Sequence, residues 1–283
     1  MEKIFDVYKI RDISNYGMSP MFMENGEYFI PEVCISVTMC CNLACKLCVV
    51  KCPLYKKPEH PTLDELKSWA DKYFEMADYT LKLTLSGGEP LVHKDLPMFI
   101  DYLQQYKNKF GRLRINTNGT IIPGETLLSA LKGLDGQAEV LIDYYPASKN
   151  APTTAERFNN NGVPCIIRDY RTKNEWYSNG WVDYGDFSKE VEVNYACNCR
   201  RFAVYLRRDR MYMCPSQVLY DDFSPLEKYG KDTEFIDLFD TTASIDEKRK
   251  RITGLWEQEF LLSCRFCNGR DNSSQRFPPA EQL

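Results

Sequence analysis

Two hundred and eighty-three residues, 43% apolar and 27% charged, make a globular chain of one large domain or one domain with a small appendage. Thirty-six basic against forty acidic side chains leave a net charge of −4, which gives no global attraction to nucleic acid or anionic lipid. No stretch approaches the roughly 18 apolar residues of a spanning helix, and Met1-Glu2-Lys3-Ile4-Phe5-Asp6 has no apolar signal core, so a cytoplasmic protein without membrane or nucleic-acid partners is expected.

In chain order, residues 1–30 read as an N-terminal extension. Residues 32–38 form a short apolar strand that runs into a group of cysteines: Cys34, Cys40, Cys41, Cys45, Cys48 and Cys52. After a polar loop, Thr62-Leu63-Asp64-Glu65 is a capping box, and Leu63, Leu66, Trp69, Ala70, Tyr73, Phe74 and Ala77 recur at helical spacing. Residues 80–85 alternate as a strand does and end at Ser86-Gly87-Gly88-Glu89-Pro90. A helix begins at Asp95, with Leu96, Phe99, Ile100 and Leu103 on one face. Residues 112–117 are a strand ending at Asn118-Gly119; a helix over 125–134, a strand over 139–143, a helix near 154–160 and a strand over 163–168 follow. Alternation of this length predicts an α/β fold, a parallel sheet with helices outside, open or curled into a barrel. Chemistry in such barrels sits at the C-terminal strand ends. The cysteines, the Gly-Gly turn, Thr117-Asn118-Gly119 and Asp143-Tyr144 all fall at those ends. Past residue 175 the rhythm stops, which divides the chain into a core over 31–175 and an irregular appendage over 176–283.

Twelve cysteines in a chain without an export signal argue for metal or cluster ligation rather than disulfides. Cys165 stands apart in an apolar run and reads as a buried strand residue. Cys41-Asn42-Leu43-Ala44-Cys45-Lys46-Leu47-Cys48 sets three thiols at spacings of four and three, which suits a [4Fe–4S] cluster with one open iron or, with Cys40 or Cys52 added, a zinc site. Cys40 and Cys52 read as spectators. His93, just ahead of a helix start, reads as loop structure, and His60 has no chemical role.

The Cys-x3-Cys-x2-Cys run followed by Gly87-Gly88-Glu89-Pro90 resembles the radical S-adenosylmethionine (SAM) superfamily, with Leu47 where the family usually has an aromatic residue. The resemblance implies a partial (β/α)6 TIM-like barrel. It also implies that Cys41, Cys45 and Cys48 hold a [4Fe–4S] cluster whose open iron chelates S-adenosylmethionine. Gly87, Gly88 and Glu89 would then meet the methionine amino group, with Thr117 and Asn118 near the ribose and carboxylate. A flavodoxin or ferredoxin would deliver the electron that splits the cofactor into methionine and a 5′-deoxyadenosyl radical, and the radical would take a hydrogen atom from a substrate carbon.

A second thiol set, Cys197, Cys214, Cys264 and Cys267, surrounds a hairpin expected to turn at Arg208-Asp209-Arg210 and a helix over Ile245–Glu257. This outline resembles the twitch domain, the short relative of SPASM, and implies an auxiliary [4Fe–4S] cluster; Cys199 competes with Cys197 for the first place. The same four thiols would also serve a zinc ribbon. The ending 278–283, with 181–185 and Ile142-Asp143-Tyr144, looks like a twitch subgroup that accompanies glycosyltransferases in polysaccharide gene sets, which points to a sugar- or cyclitol-like small-molecule substrate. An electron passed to the auxiliary cluster would give oxidation; a thiol returning a hydrogen atom would give epimerisation. Asp143 and Asp169 are candidate bases, and Arg168 a candidate for orienting the substrate. Modification of a ribosomally made peptide and a zinc-stapled scaffold without catalysis are the rival functions. Lys248, Arg249, Lys250 and Arg251 read as the solvated face of a helix.

Overall fold

The computed structural model describes residues 20–22, 25–172, 174–177, 197, 203–223, 234–267 and 275–283. A two-residue strand β1 (Met21–Phe22) pairs antiparallel with the start of β2 (Tyr28–Thr38). Then β3 (Tyr79–Gly87), β4 (Phe110–Thr117), β5 (Ala138–Tyr144) and β6 (Cys165–Asp169) lie side by side in chain order, each parallel to the last. Helices α1 (Leu63–Met76), α2 (Leu96–Leu103), α3 (Glu125–Lys132) and α4 (Ala151–Asn160) make the crossovers. The α/β class read from the alternation is the observed one. The capping box forms as expected: Thr62 Oγ1 accepts from Glu65 N while Thr62 N donates to Glu65 Oε2 at 2.7 Å, a motif typically worth ~1 kcal/mol.

Strand register sorts the sheet into two faces. Val33, Ile35 and Val37, with Leu83, Leu85, Leu113, Ile115, Val140 and Ile142, are buried in one core with Leu66, Tyr73, Phe99, Leu128 and Phe158 of the helices. The opposite face carries Glu32, Cys34, Lys82, Thr84, Ser86, Arg114, Asn116, Glu139, Asp143 and Arg168. Its deeper layer is closed by ion pairs: Lys82 Nζ lies 2.6 Å from Glu32 Oε2, and Arg114 Nε donates to Glu139 Oε1 at 2.6 Å. The layer nearer the C-terminal strand ends is left for chemistry.

Beyond β6 lie β7 (Trp176–Tyr177), β8 (Val204–Arg207), β9 (Arg210–Tyr212), α5 (Pro215–Phe223), β10 (Phe235–Asp237), α6 (Ile245–Glu257) and β11 (Arg276–Phe277). The expected hairpin is present, with Arg208 in the left-handed region at φ +57° between β8 and β9. It is not a detached unit. β8 pairs parallel with β2, so the sheet runs β10-β9-β8-β2-β3-β4-β5-β6 straight across residue 175. β7 and β11 form a separate two-stranded sheet.

Two sequence expectations need correction. Cys165 is half-buried rather than buried, because β6 is the last strand of the sheet and its Ile166 and Ile167 are each 46% exposed. The basic run on α6 is not uniformly solvated. Lys248 is buried with Nζ on Leu238 O at 2.9 Å, and Arg249 donates to Met76 O and to Asp78 Oδ2, both at 2.8 Å; Lys250 and Arg251 stay exposed. Burial of a cation is tolerated where its donors meet carbonyls and a carboxylate.

Candidate active site

The cysteine loop leaves the end of β2 and is zipped to the end of β3. Gly88 N donates to Thr38 O at 2.7 Å, and Glu89 N donates to Cys40 O at 2.9 Å. A Cβ on Gly87, whose φ is +132°, would meet Thr38 O at 2.0 Å; one on Gly88 would meet Cys40 O at 2.2 Å. These glycines are therefore required by the approach of one backbone to another, besides any contact with a ligand.

Cys41, Cys45 and Cys48 line one cavity of about 300 Å³ together with Gly87, Gly88, Thr117, Asn118, Asp143 and Arg168. Cys34, Asn116, Tyr145 and Trp176, which carry no motif, line it as well. Burial pushes the Cys41 thiol up to about 11 and the Cys45 thiol upward. The Cys48 thiol is drawn down to about 6, chiefly because the Cys52 thiol donates to it. Cys52, a spectator by sequence, thus lines the cavity beside Cys48. None of the described cysteines is in a disulfide.

Glu89 is placed differently from the sequence expectation. It has no exposed surface and is absent from the cavity wall. Its carboxylate accepts from Thr117 Oγ1 at 2.8 Å, Asn118 N at 2.7 Å and Leu91 N at 3.0 Å, clamping the end of β4 to the turn after β3. Burial outweighs these donors and pushes it up to about 7. Asn118 reaches the loop instead, with Nδ2 on Asn42 Oδ1 at 3.0 Å and 3.8 Å from Cys41 Sγ.

Of the three candidate catalytic residues, two meet. Arg168 donates to Asp143 through Nε at 2.6 Å and Nη2 at 2.9 Å, and Tyr145 OH donates to Asp143 Oδ2 at 3.1 Å. Their registered positions on β5 and β6 explain the meeting. Asp169, one residue on, alternates to the other face: it is exposed, accepts from Arg171 Nη2 at 2.6 Å and does not line the cavity. Tyr145 and Trp176 meet edge to face at 5.4 Å and form an aromatic wall. His93 is a loop residue as expected: Nε2 meets Pro61 O at 2.8 Å, and Nδ1 accepts from Asp95 N.

The chemistry of the wall fits the groups that the motifs imply. Three thiols from one loop offer a cluster its ligands, and the side chain of Asn116, a cavity residue, has a buried Oδ1 without a partner, an acceptor available to a bound ammonium or hydroxyl. Among the described residues no three His, Cys, Asp or Glu side chains converge as ligands of one ion do; thiolates that hold a four-iron cluster grip separate irons and need not.

The second thiol set is gathered from three places. Cys214 lies just past β9, Cys264 and Cys267 on and after a short 3-10 turn over Leu262–Phe266, and Cys197 upstream. Cys214 interacts electrostatically with Cys264, Cys267 and Cys197, and burial raises its thiol well above the usual range. Burial likewise pushes Cys264 up to about 12. Pro215, adjacent to Cys214, lines the main cavity. Cys199, residues 181–185 and most of the N-terminal extension lie outside the described residues. No described helix is long and apolar enough to cross a membrane.

Residues 35–145 match the Radical SAM superfamily. The GTP 3',8-cyclase of Campylobacter jejuni (strain RM1221) is 35% identical over 88 residues, 31% of this chain and 27% of that protein. That of Campylobacter jejuni subsp. doylei is 37% identical over 108 residues, 36% of this chain and 32% of that protein. The chain thus spans about a third or less of the length of these curated relatives. Among solved structures, BtrN in complex with AdoMet and 2-DOIA aligns over 94% of this chain and 98% of its own, at 14% identity and a TM-score of 0.48. Streptococcus suis SuiB bound to S-adenosylmethionine aligns over 51% of this chain and 36% of its own, at 16% identity and a TM-score of 0.40.

Proposed function

We propose that this chain, whose residues 35–145 are a radical SAM domain, is a radical SAM enzyme acting on a neutral, hydroxyl-rich substrate of the sugar or cyclitol class. Cys41, Cys45 and Cys48 would hold a [4Fe–4S] cluster, reduced by a flavodoxin or ferredoxin, and the cavity beside them S-adenosylmethionine and substrate. Together the two groups supply a 5′-deoxyadenosyl radical that takes a hydrogen atom from a substrate carbon. The observation that carries this reading is the gathering of the three thiols, Gly87, Gly88, Thr117, Asn118, Asp143 and Arg168 around one cavity.

Each part of the wall has a task in that reading. Gly87 and Gly88 offer bare peptide groups to a ligand, and Asn116 Oδ1 offers a free acceptor. Tyr145 and Trp176 exclude water from one side. Among the described lining residues Arg168 is the one cation, and Asp143 occupies it through two hydrogen bonds. A triphosphate, such as the GTP in the name of the curated relatives, is best met by several free cations. With one neutralised cation among the described lining residues, that part of the wall favours a polyol.

For the reaction type we infer oxidation. Cys197, Cys214, Cys264 and Cys267 would hold a second cluster, which supplies a one-electron acceptor; Asp143, oriented by Arg168 and Tyr145, would accept the proton released from the alcohol. Epimerisation is the second reading, favoured by Cys34: a thiol in the cavity wall, pushed up to about 12 by burial, stays protonated and can return a hydrogen atom, the thiyl radical left behind being restored by one electron from the same flavodoxin or ferredoxin and one proton from solvent.

Anaerobic reconstitution tests the reading. About eight irons per chain are expected, four per cluster, with slow release of 5′-deoxyadenosine on addition of dithionite and S-adenosylmethionine. Replacing Cys41, Cys45 and Cys48 by alanine should leave about four irons and abolish the release. Stoichiometric zinc without sulfide in the wild type would overturn it.

A further inference from the structure

Residues 279–283 lie against the cysteine loop, 238 positions away in sequence at the Ala44–Gln282 contact. Cys45 and Gln282 form an isolated antiparallel bridge. Lys46 N donates to Glu281 O at 2.7 Å, and Leu283 N donates to Ala44 O at 2.9 Å. The Gln282 side chain completes the seam: Oε1 accepts from Ala44 N at 2.8 Å, while Nε2 donates to Ala280 O at 2.6 Å and lies 3.4 Å from Cys45 Sγ as its donor. Beneath it Cys45, Tyr145 and Ala280 are buried together, with Leu43, Cys48 and Trp176 packed against them.

This arrangement holds the middle thiol of the loop from both sides. The peptide N–H groups before and after Cys45 are each tied to the 281–282 segment, and the sulfur itself faces an amide N–H. A hydrogen bond to a cluster sulfur stabilises the more negative, reduced state and raises its potential, and ligand orientation is fixed by such outer partners.

We propose that Gln282 is a positioning residue of the first cluster: it clasps the loop through Ala44 N and, through its amide N–H on Cys45 Sγ, sets how readily the cluster takes up its electron. The proposal rests on the reading that Cys41, Cys45 and Cys48 hold that cluster. The two functions of the side chain are separable. Gln282→Glu keeps an oxygen for Ala44 N and loses the N–H to sulfur, whereas Gln282→Leu loses both.

Two measurements on the full chain decide it. In hydrogen exchange of the cluster-free protein, the Ala44 amide should be protected in the wild type and in Gln282→Glu. It should exchange roughly fivefold faster or more in Gln282→Leu, the equivalent of one hydrogen bond. In anaerobically reconstituted holoprotein, the paramagnetic signal that changes on adding S-adenosylmethionine identifies the first cluster. Its midpoint potential should be more negative in both variants than in the wild type, and most negative in Gln282→Glu, which adds a charge. An unprotected Ala44 amide in the wild type, or an unshifted midpoint in both variants, overturns the role of Gln282 and leaves the assignment of the cluster standing. A wild type with no S-adenosylmethionine-responsive signal overturns both.

Discussion

At the scale of single residues, a carboxyl group sealed from water organises the rim of the cavity. Glu89 touches Thr117, Asn118 and Leu91 and has no solvent exposure. Its carboxyl is pushed up to about 7 from an ordinary 4.5, so between those pH values the folded chain keeps a proton that the unfolded chain has released. Stability then falls as pH rises through that window, by at most about 3 kcal/mol, and Glu89 contributes no slope below or above it. Glu89→Gln removes the slope but points an amide NH2 at the Asn118 N–H, which strands a buried donor at about 1–3 kcal/mol. Urea unfolding should therefore find the variant less stable than wild type at pH 5, with the gap narrowing by pH 7.5. A gap that stays constant across that range instead would mean that the three donors hold Glu89 ionised throughout.

At the scale of elements, the close approach of two chain segments decides whether the cysteine loop is seated. Gly88→Ala puts a methyl 2.2 Å from Cys40 O, so the Gly88–Thr38 and Glu89–Cys40 hydrogen bonds must open. Overpacking of this kind costs typically 1–3 kcal/mol. Iron loading after reconstitution should fall in Gly88→Ala, while Gly124→Ala, with nothing within 4 Å of its new Cβ, should load as wild type. Equal loading would show that the loop seats itself without the turn. Local periodicity explains why so much of this was readable beforehand. The alternation Thr80-Leu81-Lys82-Leu83-Thr84-Leu85 separates the helix-facing residues of β3 from its polar face, and the Thr62–Glu65 box marks the start of α1. Pro215, a favoured first helical residue, marks the start of α5 in the sequence. The pairing of β8 with β2 and of Gln282 with Cys45 joins segments distant in the chain, and no local pattern encodes such a partner. The same holds for Cys34, Asn116 and Trp176, which become cavity residues only when strands align.

At the scale of the whole molecule, the question is what the second thiol set holds together. The hairpin that precedes Cys214 is already a continuation of the main sheet through β8 and β2. Helix α6 is anchored without help from thiols: Ile252, Leu255 and Trp256 are buried in the shared core, and Arg249 bonds Met76 O and Asp78. Arg207, 1% exposed, adds an ion-paired tie from β8 to Glu59 and Asp222. These contacts should keep the sheet intact when the thiols are removed, although structural metal sites usually add folding energy. Cys264→Ala combined with Cys267→Ala should therefore keep a cooperative melt, about four irons and the slow release of 5′-deoxyadenosine. Pro215 carries the consequence to the cavity, because it lines that wall and follows Cys214 directly. On the proposed reading, conversion of a sugar or cyclitol substrate should fall sharply, since the proposed electron acceptor and the support of one wall would both be lost. Conversion at the wild-type rate would mean that the second set neither accepts an electron nor shapes the pocket, and the cavity thiol of Cys34 would then make epimerisation the better reading.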